Sequence, residues 1–229
     1  MIETTVEGRV AFVTLDRPHR RNALTPDDLD ALHAAVEECE TPVICLRGTG
    51  PAFCAGADLD VVADLDHEAA VGFAEQGQRV ASAIEESPAV VVAAIDGAAR
   101  GGGVELALAC DLRIATPAST FAETGVRLGL FGAWGGTVRL PRVVGEGNAM
   151  DLALSGRTID AAEALRMGLV SRVVDDPAGV AHEVAANDTR ALDRLQPLLR
   201  HRGTAVDRER AEREAFADLV ARNAEALGN

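Results

Sequence analysis

The chain has 229 residues and no lysine, so all 22 basic side chains are arginine, set against 36 Asp and Glu for a net charge of −14. Without lysine there is no P-loop lysine, Schiff-base lysine or kinase-type ATP lysine, and without tyrosine no tyrosine general acid. The acidity argues against nucleic acid and anionic membrane as main partners, since both need a basic face, and the length suits one large domain, or one domain with a small appendage, with room for a proper core.

In chain order, Ile2 to Glu7 and Ala11 to Asp16 read as two short strands around Gly8. Thr25-Pro26-Asp27-Asp28 opens a helix, with Thr25 suited to the N-cap, Pro26 to the first turn and Asp28 three residues after the cap. Leu29, Leu32, His33 and Val36 fall on one face. Pro42 to Leu46 is a short apolar strand, followed by a Gly/Pro loop from Gly48 to Gly56. Ala69 to Glu86 predicts a helix with Val71, Phe73, Val80 and Ile84 inward, ended by Pro88. Ala89 to Ile95, β-branched and apolar, predicts a strand buried on both faces. A glycine-rich turn, Gly97 to Gly103, leads into a helix at Val104 to Ala109, and Leu112 to Ala115 is another strand. The recurrence of strand, glycine turn and helix argues an α/β fold. From Gly145 onward the pattern turns helical, with a short helix at Ala161 to Leu165, a strand at Val170 to Val174 and mostly helix from Leu192 to Leu227. Val206 to Asn229 is charged and amphipathic, which reads as a solvated face.

The longest apolar run, Ala89 to Ile95, is far too short to span a bilayer, and the start Met-Ile-Glu shows no signal peptide. Cys39, Cys45, Cys54 and Cys110 lack CxxC spacing and read as reduced thiols, so a cytoplasmic location is expected. The acidic, lysine-free composition suits a very salty cytoplasm; a GC-rich codon bias also favours Arg, Ala, Gly and Val.

Two loops carry free backbone N–H groups and few side chains: Phe53-Cys54-Ala55-Gly56-Ala57-Asp58-Leu59 and Arg100-Gly101-Gly102-Gly103-Val104-Glu105-Leu106. At the second, a helix starts among the glycines, where unpaired N–H groups and the helix dipole favour negative charge. Side by side, the two turns aim two N–H groups at one oxygen, an oxyanion hole. Glu105, one short turn into the helix, is placed to move a proton beside a bound carbonyl. Taken singly, the glycines are better explained by tight strand–helix packing and Glu105 by a helix cap. Cys54 with His67 as a thiol–base pair is the weaker alternative, since packing in a tight loop explains Cys54. The five histidines show no metal-ligand spacing. Phe131 and Trp134 read as pocket wall or core, with core favoured.

The ordered set Leu15-Asp16-Arg17-Pro18 with Asn22-Ala23-Leu24, the two glycine loops, Cys110-Asp111-Leu112-Arg113-Ile114-Ala115, Gly135-Gly136 with Arg139-Leu140-Pro141, and Ala161 to Val174 resembles the enoyl-CoA hydratase/isomerase family. The resemblance runs from about Ile2 to Val174 and more weakly beyond. It implies a crotonase fold of spiralling ββα units, with a core domain over residues 1–187 and a helical C-terminal region over 188–229, shorter than usual for the family. It implies an acyl-CoA thioester as ligand, no cofactor beyond the CoA carried by the substrate, and assembly as a homotrimer or hexamer. The oxyanion hole falls to the N–H groups of Ala57 and Gly102, and CoA contacts to Ala23, Ala55, Ala57, Asp58 and Leu59. Arg17, Arg20 and Arg21 suit the CoA phosphates through their forked donors, or else pair with Asp27 and Asp28.

One departure matters. Hydratases of the family use two glutamates; Glu105 matches one, but the second position is Gly125 here. Glu123 is the nearest carboxylate, and two residues along an extended segment restore the same side of the chain. Glu123 is therefore either the second acid or a structural carboxylate. The expected activity is enoyl-CoA hydration; isomerisation, decarboxylation or thioester hydrolysis uses the same hole, and a non-catalytic acyl-CoA-binding subunit is the alternative from another class.

Overall fold

The computed structural model describes residues 1–227, so Gly228 and Asn229 at the end of the amphipathic stretch lie outside the described residues. β1 (Ile2–Glu7) and β2 (Val10–Leu15) form an antiparallel hairpin, and α1 (Pro26–Glu37) follows with the Thr25–Asp28 capping box made in both directions. Three units of similar construction come next. The first holds β3 (Val43–Gly48), β4 (Ala52–Cys54), α2 (Leu59–Ala63) and α3 (His67–Glu86). The second holds β5 (Val90–Ile95), β6 (Ala98–Arg100) and α4 (Gly102–Ala109). The third holds β7 (Leu112–Ala115), β8 (Thr120–Ala122) and α5 (Gly136–Val144). Then follow α6 (Glu146–Ser155), β9 (Ile159–Asp160), α7 (Ala161–Met167), β10 (Arg172–Val173), α8 (Gly179–Ala185), α9 (Thr189–Arg200) and α10 (Ala205–Leu227).

Within each unit the first strand joins a six-stranded sheet of order β1-β2-β3-β5-β7-β10, and the second crosses to a four-stranded sheet of order β4-β6-β8-β9. The period-two alternation of β2, β3 and β5 divides their side chains between two cores. Val13, Ile44, Leu46 and Val91 pack with Leu29 and Leu32 of α1, Val80 of α3 and Leu106 of α4. Phe12, Val43, Cys45 and Val92 pack on the other face with Val180 and Ala181 of α8. That double cover buries β5 along its whole length.

Two expectations need correction. Val71 does not face inward but is 46% exposed, because the buried stripe of α3 runs through Phe73, Gly77, Val80, Ala81 and Ile84. α3 also starts two residues early, at His67, where Asp66 accepts from the Ala69 N–H as N-cap. α8 falls in the stretch whose pattern reads as helical from Gly145 onward, without bounds of its own, and it covers the second core. α9 opens at Thr189 on an Asp188 cap, next to the expected division of the chain, and α10 packs against α9.

The small sheet positions the site. β4, β6 and β8 are parallel neighbours, with Ala52 opposite Ala98 and Ala98 opposite Thr120. Their C-terminal ends therefore emerge on one side, and each ends in a segment that carries a candidate group: Ala57, Gly102 and Glu123.

Candidate active site

The strand pairing brings the two glycine turns together. A Cβ built on Gly56 would lie 2.8 Å from both the Arg100 carbonyl oxygen and the Gly102 nitrogen, so the turns touch backbone to backbone. Gly56, with φ +85°, adopts a conformation that L side chains avoid, and so does Gly101, with φ +45°. The Ala57 segment is held from the other side by Leu24, whose N–H donates to Gly56 O at 2.8 Å and whose carbonyl accepts from Asp58 N at 2.9 Å. Among the described residues the N–H groups of Ala57 and Gly102 donate to no protein acceptor, and both residues line one cavity of about 210 Å³.

Glu105 sits in a helix whose residues are all buried, and is itself 1% exposed. Its Oε1 accepts from Trp134 N at 3.0 Å and from Gly136 N at 2.6 Å, the latter being the first N–H of α5. A helix start and its dipole therefore hold the carboxylate charge. Burial raises its pKa; the Gly136 and Trp134 N–H groups and the Arg139 guanidinium oppose the rise without cancelling it. Among the described residues Oε2 is buried with no protein partner. The approach is tight: a Cβ on Gly132 would lie 2.5 Å from Oε2, and one on Gly136 2.6 Å from Oε1.

Glu123 directly follows β8 and shares with Glu105 a second cavity of about 270 Å³. The two cavities meet at Glu105, Gly125, Phe131 and Gly132. Glu123 Oε1 is also buried without a partner among the described residues. Burial, and then the charge of Glu105, push its pKa up to about 8. The pair thus presents a carboxyl group held by backbone donors beside a second one held neutral up to about pH 8, both with a free oxygen. Gly125 leaves little room for a side chain: its Cβ would meet Phe131 Cα at 3.0 Å and the Leu130 carbonyl at 3.2 Å.

The family profile described as enoyl-CoA hydratase/isomerase matches residues 5–214. The chain belongs to the enoyl-CoA hydratase/isomerase family. A short-chain-enoyl-CoA hydratase of Clostridium acetobutylicum is 35% identical over 226 residues, covering 93% of this chain and 86% of that protein. The crystal structure of enoyl-CoA hydratase from Bacillus anthracis matches with a TM-score of 0.90 at 32% identity, covering 96% of this chain and 91% of that one. A Thermobifida fusca YX protein solved in complex with CoA matches with a TM-score of 0.89 at 30% identity, covering 98% and 94% of the two chains. The architecture described above is the crotonase fold of this family.

The other residues expected from the family pattern fall around the hole. Ala55, Ala57 and Leu59 line the 210 Å³ cavity, and Ala23 is buried in the Arg17–Leu24 segment, which Asn22 pins by donating to Ala52 O at 2.7 Å and Thr49 O at 2.9 Å. The arginine cluster departs from expectation. Arg17 and Arg20 pair with neither Asp27 nor Asp28 but with buried Asp58, at 2.8 and 3.0 Å, and Arg20 also bonds Asp60. Asp58 spends its carboxylate on these arginines and on Asp60 N, which holds its pKa below the usual range despite burial. Arg21 is exposed, makes no ion pair among the described residues and lies close enough to Arg100 to lower that guanidinium's pKa, an effect second to burial. Burial pushes the Cys54 thiol up to about 12, which removes it as a nucleophile at neutral pH. Trp134 is core, as expected, but Phe131 is 74% exposed at the junction of the two cavities. Sequence reasoning missed the Trp134 and Gly136 donors to Glu105; the only signal for them was the Gly135-Gly136 start of a helix.

Proposed function

We propose that this family member hydrates 2,3-enoyl-CoA thioesters. The observation that carries the reading is two buried carboxylates, each with an unpartnered oxygen, on one cavity beside two free N–H groups. The thioester oxygen accepts from Ala57 N–H and Gly102 N–H. Glu105, held by the Trp134 and Gly136 N–H groups, takes a proton from water as its oxygen bonds to C3. Charge passes through C2 to the thioester oxygen, where the hole stabilises the enolate. Glu123, neutral below about pH 8, gives its proton to C2. The product is a 3-hydroxyacyl-CoA, and the net proton count closes when Glu105 returns its proton and Glu123 regains one. Glu123 thereby takes the place that Gly125 leaves empty.

CoA would lie along the Arg17–Leu24 segment, with Arg21 and Arg100 supplying positive potential in an acidic protein. The reading requires no cofactor besides the CoA of the substrate. Among the described residues no helix is long and apolar enough to cross a membrane, and we place the protein in the cytoplasm. We also assign a homotrimer or hexamer, the assembly that the family resemblance implies.

Following the conjugated thioester absorbance of a panel of enoyl-CoA esters in molar salt tests the reading. Turnover that needs both Glu105 and Glu123 supports it. Turnover that needs Glu105 alone assigns isomerase, decarboxylase or thioester-hydrolase chemistry instead, and binding without any turnover assigns an acyl-CoA-binding subunit.

A further inference from the structure

We infer that Trp134 is a positioning residue whose indole sets the spacing between the Gly102 N–H and the Glu105 carboxylate. The inference rests on the hydration reading above. The indole spans the gap between α3 and the start of α4. A Cβ built on Gly77 of α3 would lie 2.0 Å from its Cδ1, and one built on Gly102 would lie 2.3 Å from its Cζ3. Both glycine backbones therefore press on opposite edges of one ring system, which is 3% exposed. Phe73, one helical turn before Gly77, meets the indole edge-on at 5.9 Å and 78°.

The same residue holds the acid–base group. Its backbone N–H donates to Glu105 Oε1 at 3.0 Å. Its carbonyl accepts from Arg139 Nη1 at 3.3 Å, and Gln78 of α3 donates to the preceding carbonyl, Ala133 O, at 2.9 Å. One rigid group with two side-chain torsions thus touches the hole on its ring side and the carboxylate on its backbone side, and α3 braces both. Sub-ångström placement of these two groups decides whether the thioester oxygen and the attacking water are served together.

Gly77→Ala is the test variant. It adds one methyl group from the α3 side, removes no polar group, and favours the helix that carries it. The indole must move, and Trp134 N–H with it. We expect kcat to fall by about tenfold to a hundredfold with KM within about twofold of wild type, since hole and base lose register while the CoA contacts stay. Losing the Trp134 donor raises the Glu105 pKa further, so the acid limb of the kcat profile moves to higher pH. A smaller ring makes room: Trp134→Phe combined with Gly77→Ala recovers part of the loss. Wild-type kcat and an unmoved acid limb in Gly77→Ala overturn the inference. If that variant does not fold, Trp134→Phe alone decides: a lowered kcat with a shifted acid limb supports the role, and an unchanged pair of values overturns it. A second readout does not depend on turnover. Trp134 is the sole tryptophan, so its emission must change when butanoyl-CoA saturates the protein, and emission unmoved at calorimetric saturation overturns the placement. Wild-type protein that binds butanoyl-CoA with an emission change yet hydrates no enoyl-CoA strikes the hydration reading and leaves Trp134 beside the hole.

Discussion

At the scale of single residues, the division of labour between Glu105 and Glu123 follows from their surroundings. Glu105 is buried but receives two backbone donors, whereas Glu123 is buried beside a charge and receives none on Oε1. Glu105→Gln should cost about a hundredfold or more in kcat while leaving the fold and CoA binding intact, because one proton-transfer group is lost. Near-normal kcat would remove Glu105 from the mechanism. The raised pKa of Glu123 also predicts a stability effect. A carboxyl that holds its proton up to about pH 8 when folded loses it near pH 4 when unfolded. Its stabilising contribution is complete below the unfolded value and is lost as pH rises through the folded one. Glu123→Gln keeps the neutral form at every pH, so its Tm should fall less than that of wild type between about pH 5 and pH 8. Parallel Tm curves would mean that Glu123 titrates normally. Gly125→Glu is not expected to add activity, since even its Cβ crowds the Leu130–Phe131 backbone.

At the scale of elements, the hole is a product of strand register. β4 and β6 pair in parallel, and that pairing presses Gly56 against Gly102 N. Gly56→Ala should therefore lower kcat by about tenfold or more, because a side chain at φ +85° displaces both donors by a few tenths of an ångström. Unchanged turnover would detach the hole from this contact. The arginine segment makes a separate prediction. Arg21→Ala should weaken CoA binding more than binding of a short pantetheine thioester, whereas Arg20→Ala should affect both by releasing Asp58. Equal losses for both ligands in Arg21→Ala would exclude a phosphate contact. These elements also show what was legible in the sequence. The glycine turns could be read because positive φ and close approach demand glycine. The wholly apolar β5 and the capped α1 could be read because apolar runs and capping boxes are local signals. The three-residue strands β4, β6 and β8 could not, because so short a strand has no period to detect. That is why Ala57 and Gly102 could be paired only through family resemblance. The Glu105–Glu123 meeting depends on β6–β8 register, and the Trp134 and Gly136 donors are backbone groups that any residue type supplies.

At the scale of the whole molecule, the net charge of −14 is carried with no lysine. Self-repulsion among 36 acidic side chains is screened as ionic strength rises. Tm should therefore climb between dilute buffer and molar chloride, and a flat or falling Tm would assign the composition to codon bias. The fold tolerates this surface because its stability lies inside, in two apolar cores on the faces of one mostly parallel sheet.

The most direct test of the two-carboxylate account is the hydration rate of one short ester, but-2-enoyl-CoA, in wild-type, Glu105→Gln and Glu123→Gln proteins under the same salt and pH. The account predicts measurable hydration by the wild type, with a basic limb near pH 8, and kcat lowered about a hundredfold or more in each variant. A Glu123→Gln protein that hydrates as fast as wild type, in an enzyme that still needs Glu105, would contradict it.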